Sequence, residues 1–189
     1  MIIYIYLDLK NKRVFISGGG SGIGATIVEH FCEQNSEVYF IDIDIKASKE
    51  LIKNIKQKKL RTPNFIECNI LDIKKLQNTI QEIINKKGPI HCLINSAAND
   101  DRHTTEQVDE KYWENRMGIN LKHYFFAAQA IVKGMKKIKS GSIVNLSSVS
   151  WMLGEGDKVV YETAKSAVVG LTRSFAQEFG KYNIRTNSV

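Results

Sequence analysis

The sequence predicts an α/β fold, a doubly wound parallel sheet with helices on both faces, in three layers. Short apolar runs of strand length alternate along the chain with longer stretches in which apolar residues recur at helical spacing. The chain has 189 residues, of which 43% are hydrophobic, so it can bury a sizeable core. Neither a repeat nor a Pro/Gly/Ser-rich linker divides it, and we therefore expect residues 1–189 to form a single domain.

The predicted elements follow one another in regular alternation. The apolar run Val14–Ile16 is typical of a buried strand, and Ile27, Val28 and Phe31 after it lie at helical spacing. The second strand is indicated by the run Val38–Ile41. The predicted strands lie near residues 13–17, 37–42, 64–67, 90–95, 142–147 and 184–188, and the predicted helices near 22–34, 46–58, 73–87, 112–136 and 159–181.

A glycine-rich turn joins the first predicted strand to the first helix. It reads Ser-Gly-Gly-Gly-Ser-Gly-Ile-Gly over residues 17–24. Glycines allow a sharp turn and a close approach of the backbone to a pyrophosphate, whose charge meets the N–H groups at the helix start. An ordinary turn is the alternative, but the position between strand and helix favours nucleotide binding. The candidate contacts are Gly18, Ser21, Gly22, Ile23 and Gly24.

Asp42 ends the second predicted strand, eighteen residues after Gly24. In dinucleotide-binding folds an acidic residue about 20 residues beyond the glycine motif accepts hydrogen bonds from the adenosine ribose. A carboxylate there also repels a 2′-phosphate. The glycine turn contains no Lys or Arg, and Ser21 occupies a position where a basic residue could bind that phosphate. The sequence therefore favours NAD over NADP, although Asp42 could also be only a polar strand end.

Tyr161 and Lys165 stand four residues apart in a predicted helix, and Ser148 lies thirteen residues before the tyrosine. Residues at i and i+4 share one helix face, so the phenol and the ammonium can approach one reacting atom. A free tyrosine has a pKa near ~10, and a nearby cation lowers it toward the range of a general acid/base. Ser148 can hold a substrate oxygen in line with the phenol. The alternative is a pair of surface residues.

Taken together, the spacing Gly18-x-x-x-Gly22-x-Gly24 and the set Ser148, Tyr161 and Lys165 resemble the short-chain dehydrogenase/reductase family. The resemblance extends from about Leu9 to Val189. It implies a Rossmann-type fold and an NAD-dependent oxidoreductase acting on CH–OH groups. It also implies that Lys165 holds the nicotinamide ribose.

Asn120 matches the catalytic asparagine of that family, on the helix before the serine strand. The resemblance implies that it binds a water molecule linking Lys165 to solvent.

Two further segments resemble cofactor-binding motifs of the same family. Residues 95–98, Asn-Ser-Ala-Ala, are similar to its Asn-Asn-Ala-Gly motif but depart from it at the second and fourth positions. Residues 69–72, Asn-Ile-Leu-Asp, are similar to the segment that contacts adenine, with Asn69 where aspartate is usual. The implied cofactor contacts are Asn69, Ile70, Asn95, Ala97, Tyr161 and Lys165.

A narrower resemblance, to the sugar 1-dehydrogenase branch that oxidises D-xylose-like aldoses, lies in residues 99–103, 112–113, 150–151 and 161–165. It implies oxidation of the C1 hydroxyl of an aldose to a lactone, with hydride transfer to NAD and a Ser-Tyr-Lys proton relay. The implied substrate contacts are Asp100, Arg102, His103, Ser148 and Trp151. The polar residues could instead anchor the loop or a subunit contact, and Trp151 could simply pack. The alternatives are a polyol or secondary-alcohol dehydrogenase, a carbonyl reductase, or a non-catalytic NAD-binding remnant.

Composition argues against several other classes of protein. The net charge of +7 comes from lysines scattered over helix faces, without a nucleic-acid motif, so we expect no nucleic-acid partner. Cys32, Cys68 and Cys92 are odd in number and widely spaced, which favours reduced thiols and a cytoplasmic location. The histidines lack metal-ligand spacing, so we expect no metal site. We also expect no membrane association.

The sequence ends at Val189, inside the sixth predicted strand. Members of the resembled family continue through a Pro-Gly turn, a substrate-covering segment and a seventh strand. We therefore expect a C-terminally incomplete domain that lacks this last strand and the substrate lid and is poorly active as written. The resemblance also implies a homo-oligomer formed through the helices that carry Asn120 and Tyr161.

Overall fold

The computed structural model describes residues 5–189 of the chain, so residues 1–4 of the predicted domain lie outside the described part. Within that part, a parallel sheet has the strand order β3-β2-β1-β4-β5-β6. The strands are β1 (Arg13–Ser17), β2 (Glu37–Asp42), β3 (Asn64–Glu67), β4 (Cys92–Asn95), β5 (Gly141–Asn145) and β6 (Ile184–Ser188).

Helices connect the strands. They are α1 (Gly22–Glu33), α2 (Ile45–Gln57), α3 (Ile73–Lys87), α4 (Glu110–Met117), α5 (His123–Ile138), α6 (Ser150–Leu153) and α7 (Val159–Phe179). A π-helical turn, Gly118–Lys122, joins α4 to α5, and short 3-10 turns occupy Leu7–Leu9, Thr105–Gln107 and Gly180–Tyr182. Among residues 5–189, no helix is long and apolar enough to cross a membrane.

The sheet places the glycine turn at its switch point. Strand β1 lies between β2 and β4, and the chain builds outward to β3 before it returns to start the other half at β4. Ser17, the last residue of β1, pairs with Ile41 of β2 and with Asn95 of β4. In open α/β sheets, ligands bind in the crevice at the carboxyl ends of such strands. The predicted doubly wound fold is confirmed, with strand bounds that differ from the prediction by at most two residues.

Apolar side chains cover both faces of the sheet, which is why its strands are nearly continuous hydrophobic runs. Along β1, Phe15 packs on one face with the buried side chains of α3, α5 and α7. Its neighbours Val14 and Ile16 point to the other face, where they pack with side chains from α1 and α2. The alternation of successive side chains therefore builds the two cores of the three-layer fold.

The predicted helix 112–136 is present within a continuous helical run from Glu110 to Ile138, but the π-helical turn inside it was not predicted. A π turn carries one extra residue, and such turns are often found at functional sites. The side chain of Asn120 within the turn is buried and bonded to the backbone of Asn99, 21 residues earlier. One extra residue changes the spacing of apolar residues too little to be recognised in the sequence, so the pattern over residues 112–136 predicted a regular α-helix. The short helix α6 was not predicted either.

Candidate active site

At Gly18 and Gly24 the glycine turn is packed so tightly that there is no room for a side chain. Gly18 has φ +69°, and a Cβ there would lie 2.6 Å from the Cα of Ala97. A Cβ on Gly24 would lie 1.9 Å from the carbonyl oxygen of Gly18. Gly22 has φ +53°, and the space around its missing side chain is open. The turn therefore presents bare backbone toward the open side, beside the exposed residues Ser21 and Ile23.

The start of α1 and the carboxylate of Asp42 complete the candidate dinucleotide groove. The first N–H groups of a helix have no partner within the helix, so those of α1 can meet a phosphate. Asp42 accepts hydrogen bonds from the amides of Gly20, at 2.8 Å, and of Asp44, at 2.9 Å. Each carboxylate oxygen keeps a lone pair for a further donor. The carboxylate is thus held against the glycine turn and can still accept from a ribose diol.

The segment predicted to contact adenine lies next to Asp42. The amide of Cys68 donates to the carbonyl of Asp42 at 3.1 Å, which brings residues 69 and 70 to the same edge of the sheet. The side-chain oxygen of Asn69 accepts from the amide of Leu71 at 3.0 Å. One lone pair of that oxygen is therefore used within its own turn, and a second remains for an adenine amino group. Ile70 is half-buried against the core.

The side chain of Asn95 is buried in the interior instead of lining the groove. Its Nδ2 donates to Oδ1 of Asn145 at 2.8 Å, and Nδ2 of Asn145 donates to the hydroxyl of Thr172 at 3.0 Å. The sequence assigned this side chain to cofactor contact, and the structure uses it to join β4 to β5. Ala97 fits its assigned place better, because its backbone lies against Gly18 at the floor of the turn.

Ser148, Tyr161 and Lys165 come together beyond the carboxyl end of β5. Ser148 follows the strand, and its hydroxyl lies 2.8 Å from that of Ser150, whose amide also donates to it. Tyr161 and Lys165 lie one turn apart on α7, with the ammonium 5.5 Å from the centroid of the tyrosine ring. The spacing predicted from the sequence is therefore realised as a cluster.

Lys165 is anchored from below. It is 1% exposed, and its Nζ donates to the hydroxyl of Tyr124 at 2.9 Å and to the carbonyl of Leu146 at 2.6 Å. Burial lowers the pKa of Lys165 to about 8, and the negative charge of Asp100 partly opposes that shift. The third N–H of the ammonium remains for a ligand.

Burial raises the pKa of Tyr161, although the sequence led us to expect that Lys165 would lower it. Contact with the hydroxyl of Ser148 lowers this pKa, the charge of Asp100 raises it, and the charge of Lys158 lowers it. The Nζ of Lys158 lies 6.0 Å from the centroid of the Tyr161 ring. Lys158 is three residues before Tyr161, which brings the two side chains to the same side of the start of α7. Sequence reasoning missed Lys158, although its spacing from Tyr161 could have indicated it.

The side chain of Asn120 holds the loop of residues 99–104 against the π-helical turn. Its oxygen accepts from the amide of Asn99 at 2.8 Å, and its nitrogen donates to the carbonyl of Asn99 at 2.9 Å. The side chain of Asn120 therefore fastens the loop, while one lone pair of its oxygen and one hydrogen of its nitrogen remain for a further partner such as water.

His103 anchors the same loop to the start of α7. It is 6% exposed, and its Nε2 accepts from the amide of Val160 at 3.3 Å. Its Nδ1 therefore carries the proton, and lies 2.9 Å from the hydroxyl of Tyr112 and 3.1 Å from the carbonyl of Asp101. Both ring nitrogens are occupied within the protein. These contacts favour the loop-anchoring alternative for His103 over the sugar contact.

Of the remaining loop residues, two form ion pairs that hold the loop in place and one is exposed to solvent. Arg102 forms an ion pair with Asp157, and Asp101 forms one with Arg116 at 2.6 Å. Asp100 is exposed, and its negative charge raises the pKa of both Tyr161 and Lys165, so it lies within electrostatic range of the cluster.

Trp151 is half-exposed on α6, one residue after Ser150, whose hydroxyl lies 2.8 Å from that of Ser148. The same helix carries the exposed side chains of Met152 and Leu153. Trp151 therefore remains partly open to a ligand, three residues after Ser148.

Buried residues that the sequence did not assign to the site also support it. Tyr124 binds Lys165, and its neighbour His123 lies 3.3 Å from the hydroxyl of Ser17 beneath the glycine turn. Their partners are far apart in sequence, so no local pattern indicated these contacts. Among residues 5–189, no group of three or more His, Cys, Asp or Glu side chains could hold a metal ion.

Comparison with known proteins gives a consistent result. The model of the short chain dehydrogenase family matches residues 12–189. D-xylose 1-dehydrogenase of Caulobacter vibrioides is 40% identical over 185 residues, which are 98% of this chain and 73% of that protein. A probable galactose dehydrogenase of Rhizobium meliloti is 37% identical over 182 residues, 96% of this chain and 71% of that protein. The ligand-free structure of Thermoplasma acidophilum aldohexose dehydrogenase superimposes with a TM-score of 0.83 at 27% identity, covering 97% of this chain and 67% of that one.

The glycine turn gives a direct test of the groove. In Gly24→Ala the new Cβ would overlap the carbonyl of Gly18, so the turn must move by an ångström or more. Hydrogen bonds to a charged group contribute about 1.5–3 kcal/mol each, so we expect the displaced turn to weaken NADH binding by roughly 10-fold or more, measured by fluorescence titration.

Gly170→Ala is the matched control for this substitution. Gly170 lies in α7 with no atom within 4 Å of its added Cβ. This change should leave NADH affinity unaltered and stabilise the helix by about 0.5–1 kcal/mol. Equal NADH affinity in both variants would show that the turn does not hold the dinucleotide.

Proposed function

The chain belongs to the short-chain dehydrogenase family, and on that premise we propose that it oxidises the C1 hydroxyl of an aldose to a lactone, with hydride transfer to NAD. Family membership makes it an oxidoreductase acting on CH–OH groups with a nicotinamide cofactor. The observation that carries the finer proposal is the convergence of Ser148, Tyr161 and Lys165 beyond β5, beside the carboxyl ends of β1 and β4.

The dinucleotide fits the groove described above. The close packing at Gly18 and Gly24 leaves bare backbone for a pyrophosphate, and the unpaired amides at the start of α1 supply donors. Asp42 would accept from the adenosine ribose, and its negative charge supports NAD over NADP. Asn69 and Ile70 would border the adenine. When bound, the cofactor accepts the hydride, and the protein residues position the reactants and handle the proton.

Tyr161 is the proposed general base. As phenolate it would remove the proton from the C1 hydroxyl. Ser148 accepts from the amide of Ser150, and with the Ser150 hydroxyl as a second donor it keeps its own hydrogen for the reacting oxygen. Lys165 would use its third N–H to hold the nicotinamide ribose, and the hydroxyl of Ser148 and the charge of Lys158 favour the phenolate.

The substrate class rests on the relatives and on the residues near the cluster. Two of the relatives reported above are named as dehydrogenases of xylose and galactose, at 40% and 37% identity. Asp100, exposed within electrostatic range of the cluster, can accept hydrogen bonds from sugar hydroxyls, and Trp151 can lie against a sugar face. Arg102 and His103 would act indirectly, by holding the loop that carries Asp100.

Self-association and cytoplasmic location complete the proposal. The helices α4 and α5 carry the exposed aromatic side chains of Trp113 and Phe125, and Phe125 lies 5.8 Å from Phe175 of α7. These side chains support a homo-oligomer formed through the helical run that carries Asn120 and through α7, which carries Tyr161. Cys32, Cys68 and Cys92 are free thiols, as suits a reducing cytoplasm.

The experiment that tests the function follows NADH formation at 340 nm. The panel contains D-xylose, L-arabinose, D-galactose, L-fucose, polyols and simple secondary alcohols, each with NAD and with NADP. We expect turnover with one or more aldoses and NAD, and a lactone as the product. Turnover of polyols alone would refute the sugar assignment, and a preference for NADP would refute the role of Asp42.

Tyr161→Phe should lower kcat by about 10²–10⁴-fold, the usual contribution of a general base, without changing the affinity for NADH. Tyr182→Phe is the control, because Tyr182 lies beyond the opposite end of α7, about 30 Å away along a helix of 21 residues. Turnover that survives in Tyr161→Phe would exclude this phenol as the base.

Asp100→Asn should move the pH profile of kcat to lower pH. The negative charge of Asp100 raises the pKa of Tyr161 and of Lys165, so its removal lowers both. The phenolate would then form at lower pH and the ammonium would be lost at lower pH, and both limbs should shift by up to about one unit. Asp8→Asn, in the exposed turn Leu7–Leu9, is the control. A shift to higher pH would contradict the electrostatic role of Asp100.

A further inference from the structure

We propose that Tyr124 is a positioning residue whose hydroxyl fixes the ammonium of Lys165 at the base of the site. This inference rests on the proposed function, because it concerns the lysine of the proposed relay. It adds a residue that neither the sequence motifs nor the family relationship assigns.

The geometry is a closed triangle of hydrogen bonds. Tyr124 is fully buried on α5, four residues after Asn120. Its hydroxyl donates to the carbonyl of Leu146 at 3.0 Å, and Nζ of Lys165 donates to the same carbonyl at 2.6 Å. The third side is the 2.9 Å bond from Nζ of Lys165 to the hydroxyl of Tyr124.

The direction of each bond follows from the chemistry of the groups. An ammonium has three donors and no lone pair, so Lys165 must donate to both partners. The hydroxyl of Tyr124 therefore accepts from the lysine and gives its own hydrogen to Leu146. Burial raises the pKa of Tyr124 far above its usual value, so the phenol stays neutral and keeps this arrangement.

Anchoring two of the three N–H groups leaves the third with a fixed direction. A lysine side chain is long and flexible, and an ammonium held by one acceptor can swing about it. With two acceptors, the tetrahedral geometry of the nitrogen sets where the remaining N–H points. Tyr124 thus orders the donor that Lys165 offers to a ligand.

The hydroxyl also favours the charged form of the buried lysine. The titratable groups that act with Lys165 are Tyr161 on its own helix, Asp100 on the loop, and His123 and Tyr124 on α5. His123 is neutral, because burial and then the charge of Lys165 lower its pKa to about 3. Burial lowers the pKa of Lys165. The hydroxyl of Tyr124 opposes this shift, because it accepts a hydrogen bond from the ammonium and so stabilises the charged form.

A tyrosine that merely fills the core would be satisfied by Leu146 alone. Its replacement by phenylalanine would then affect folding stability and leave the behaviour of Lys165 unchanged. The hydrogen bond from Lys165 to Tyr124 distinguishes a positioning role from a purely structural one. The pH profile of turnover reports on this bond, because the bond affects the pKa of Lys165.

The test compares Tyr124→Phe with the wild-type protein and with Tyr39→Phe. The expected result is a fall in kcat/KM of about 10-fold or more, the range for a hydrogen bond to a charged group. The alkaline limb of the pH profile, where Lys165 loses its proton, should move to lower pH by about one unit. Tyr39→Phe should change neither quantity, because this buried tyrosine bonds Glu37 on β2 and does not contact Lys165.

Binding of NADH across the pH range is the second readout, since Lys165 is proposed to hold the ribose. This measurement distinguishes a failure of the proposed function from a failure of the proposed role of Tyr124. If the wild-type protein oxidises no substrate of the panel, the proposed function fails, and a binding affinity weakened about 10-fold only in Tyr124→Phe would still support the anchor.

Unchanged turnover, pH profile and NADH affinity in a folded Tyr124→Phe protein would overturn the inference. Circular dichroism melting establishes that the variant is folded. If it is not, Tyr124→Met, which keeps an apolar side chain and removes the hydroxyl, takes its place with the same expected results.

Discussion

The buried hydroxyl of Ser17 is the point at which the elements of the site are joined. It accepts from the amides of Ser96, at 3.2 Å, and Ala97, at 3.4 Å, so its own hydrogen is directed to Nε2 of His123. One side chain at the end of β1 thereby ties the glycine turn to the segment after β4 and to the first residue of α5. Because burial lowers the pKa of His123 to about 3, its imidazole remains a neutral acceptor through the physiological range. The groove and the helix behind the site are held in one arrangement.

Polar groups in the interior extend this constraint through the sheet. Burial of an unpaired polar group is costly, so a buried amide or ammonium confines its neighbours to the few arrangements that satisfy it. The row from Asn95 to Asn145 and Thr172 joins β4, β5 and α7, and the bonds of Lys165 join α7 to α5 and to the end of β5. The relative positions of the sheet and α7 are therefore set by hydrogen bonds as well as by apolar packing.

Local patterns were sufficient to predict the strands, the glycine turn, Asp42 and the spacing of Tyr161 and Lys165. Each of these follows from a run, a period or a motif of a few residues. The direction of the Asn95 side chain, the anchoring role of His103 and the partner of Tyr124 were not predictable in this way. Their hydrogen-bond partners lie 50, 57 and 41 residues away, and sequence periodicity carries no information about such distances. The π-helical turn was not predicted either, because one extra residue in a helix leaves no signal in the apolar spacing, and Asn120 within the turn bonds a residue 21 positions earlier.

The loop of residues 99–104 shows how these long-range contacts join the proposed substrate-binding residues to the proposed catalytic helix. It is fastened to the π-helical turn by Asn120, to the start of α7 by His103 and to α4 by Arg116. The same α7 carries the proposed base and its lysine. Burial dominates the pKa shifts of Tyr161 and Lys165, and the negative charge of Asp100 raises the pKa of both groups. A change in any of the three anchors would therefore be felt on α7 as well as in the loop, because the loop and the helix belong to one connected set of contacts.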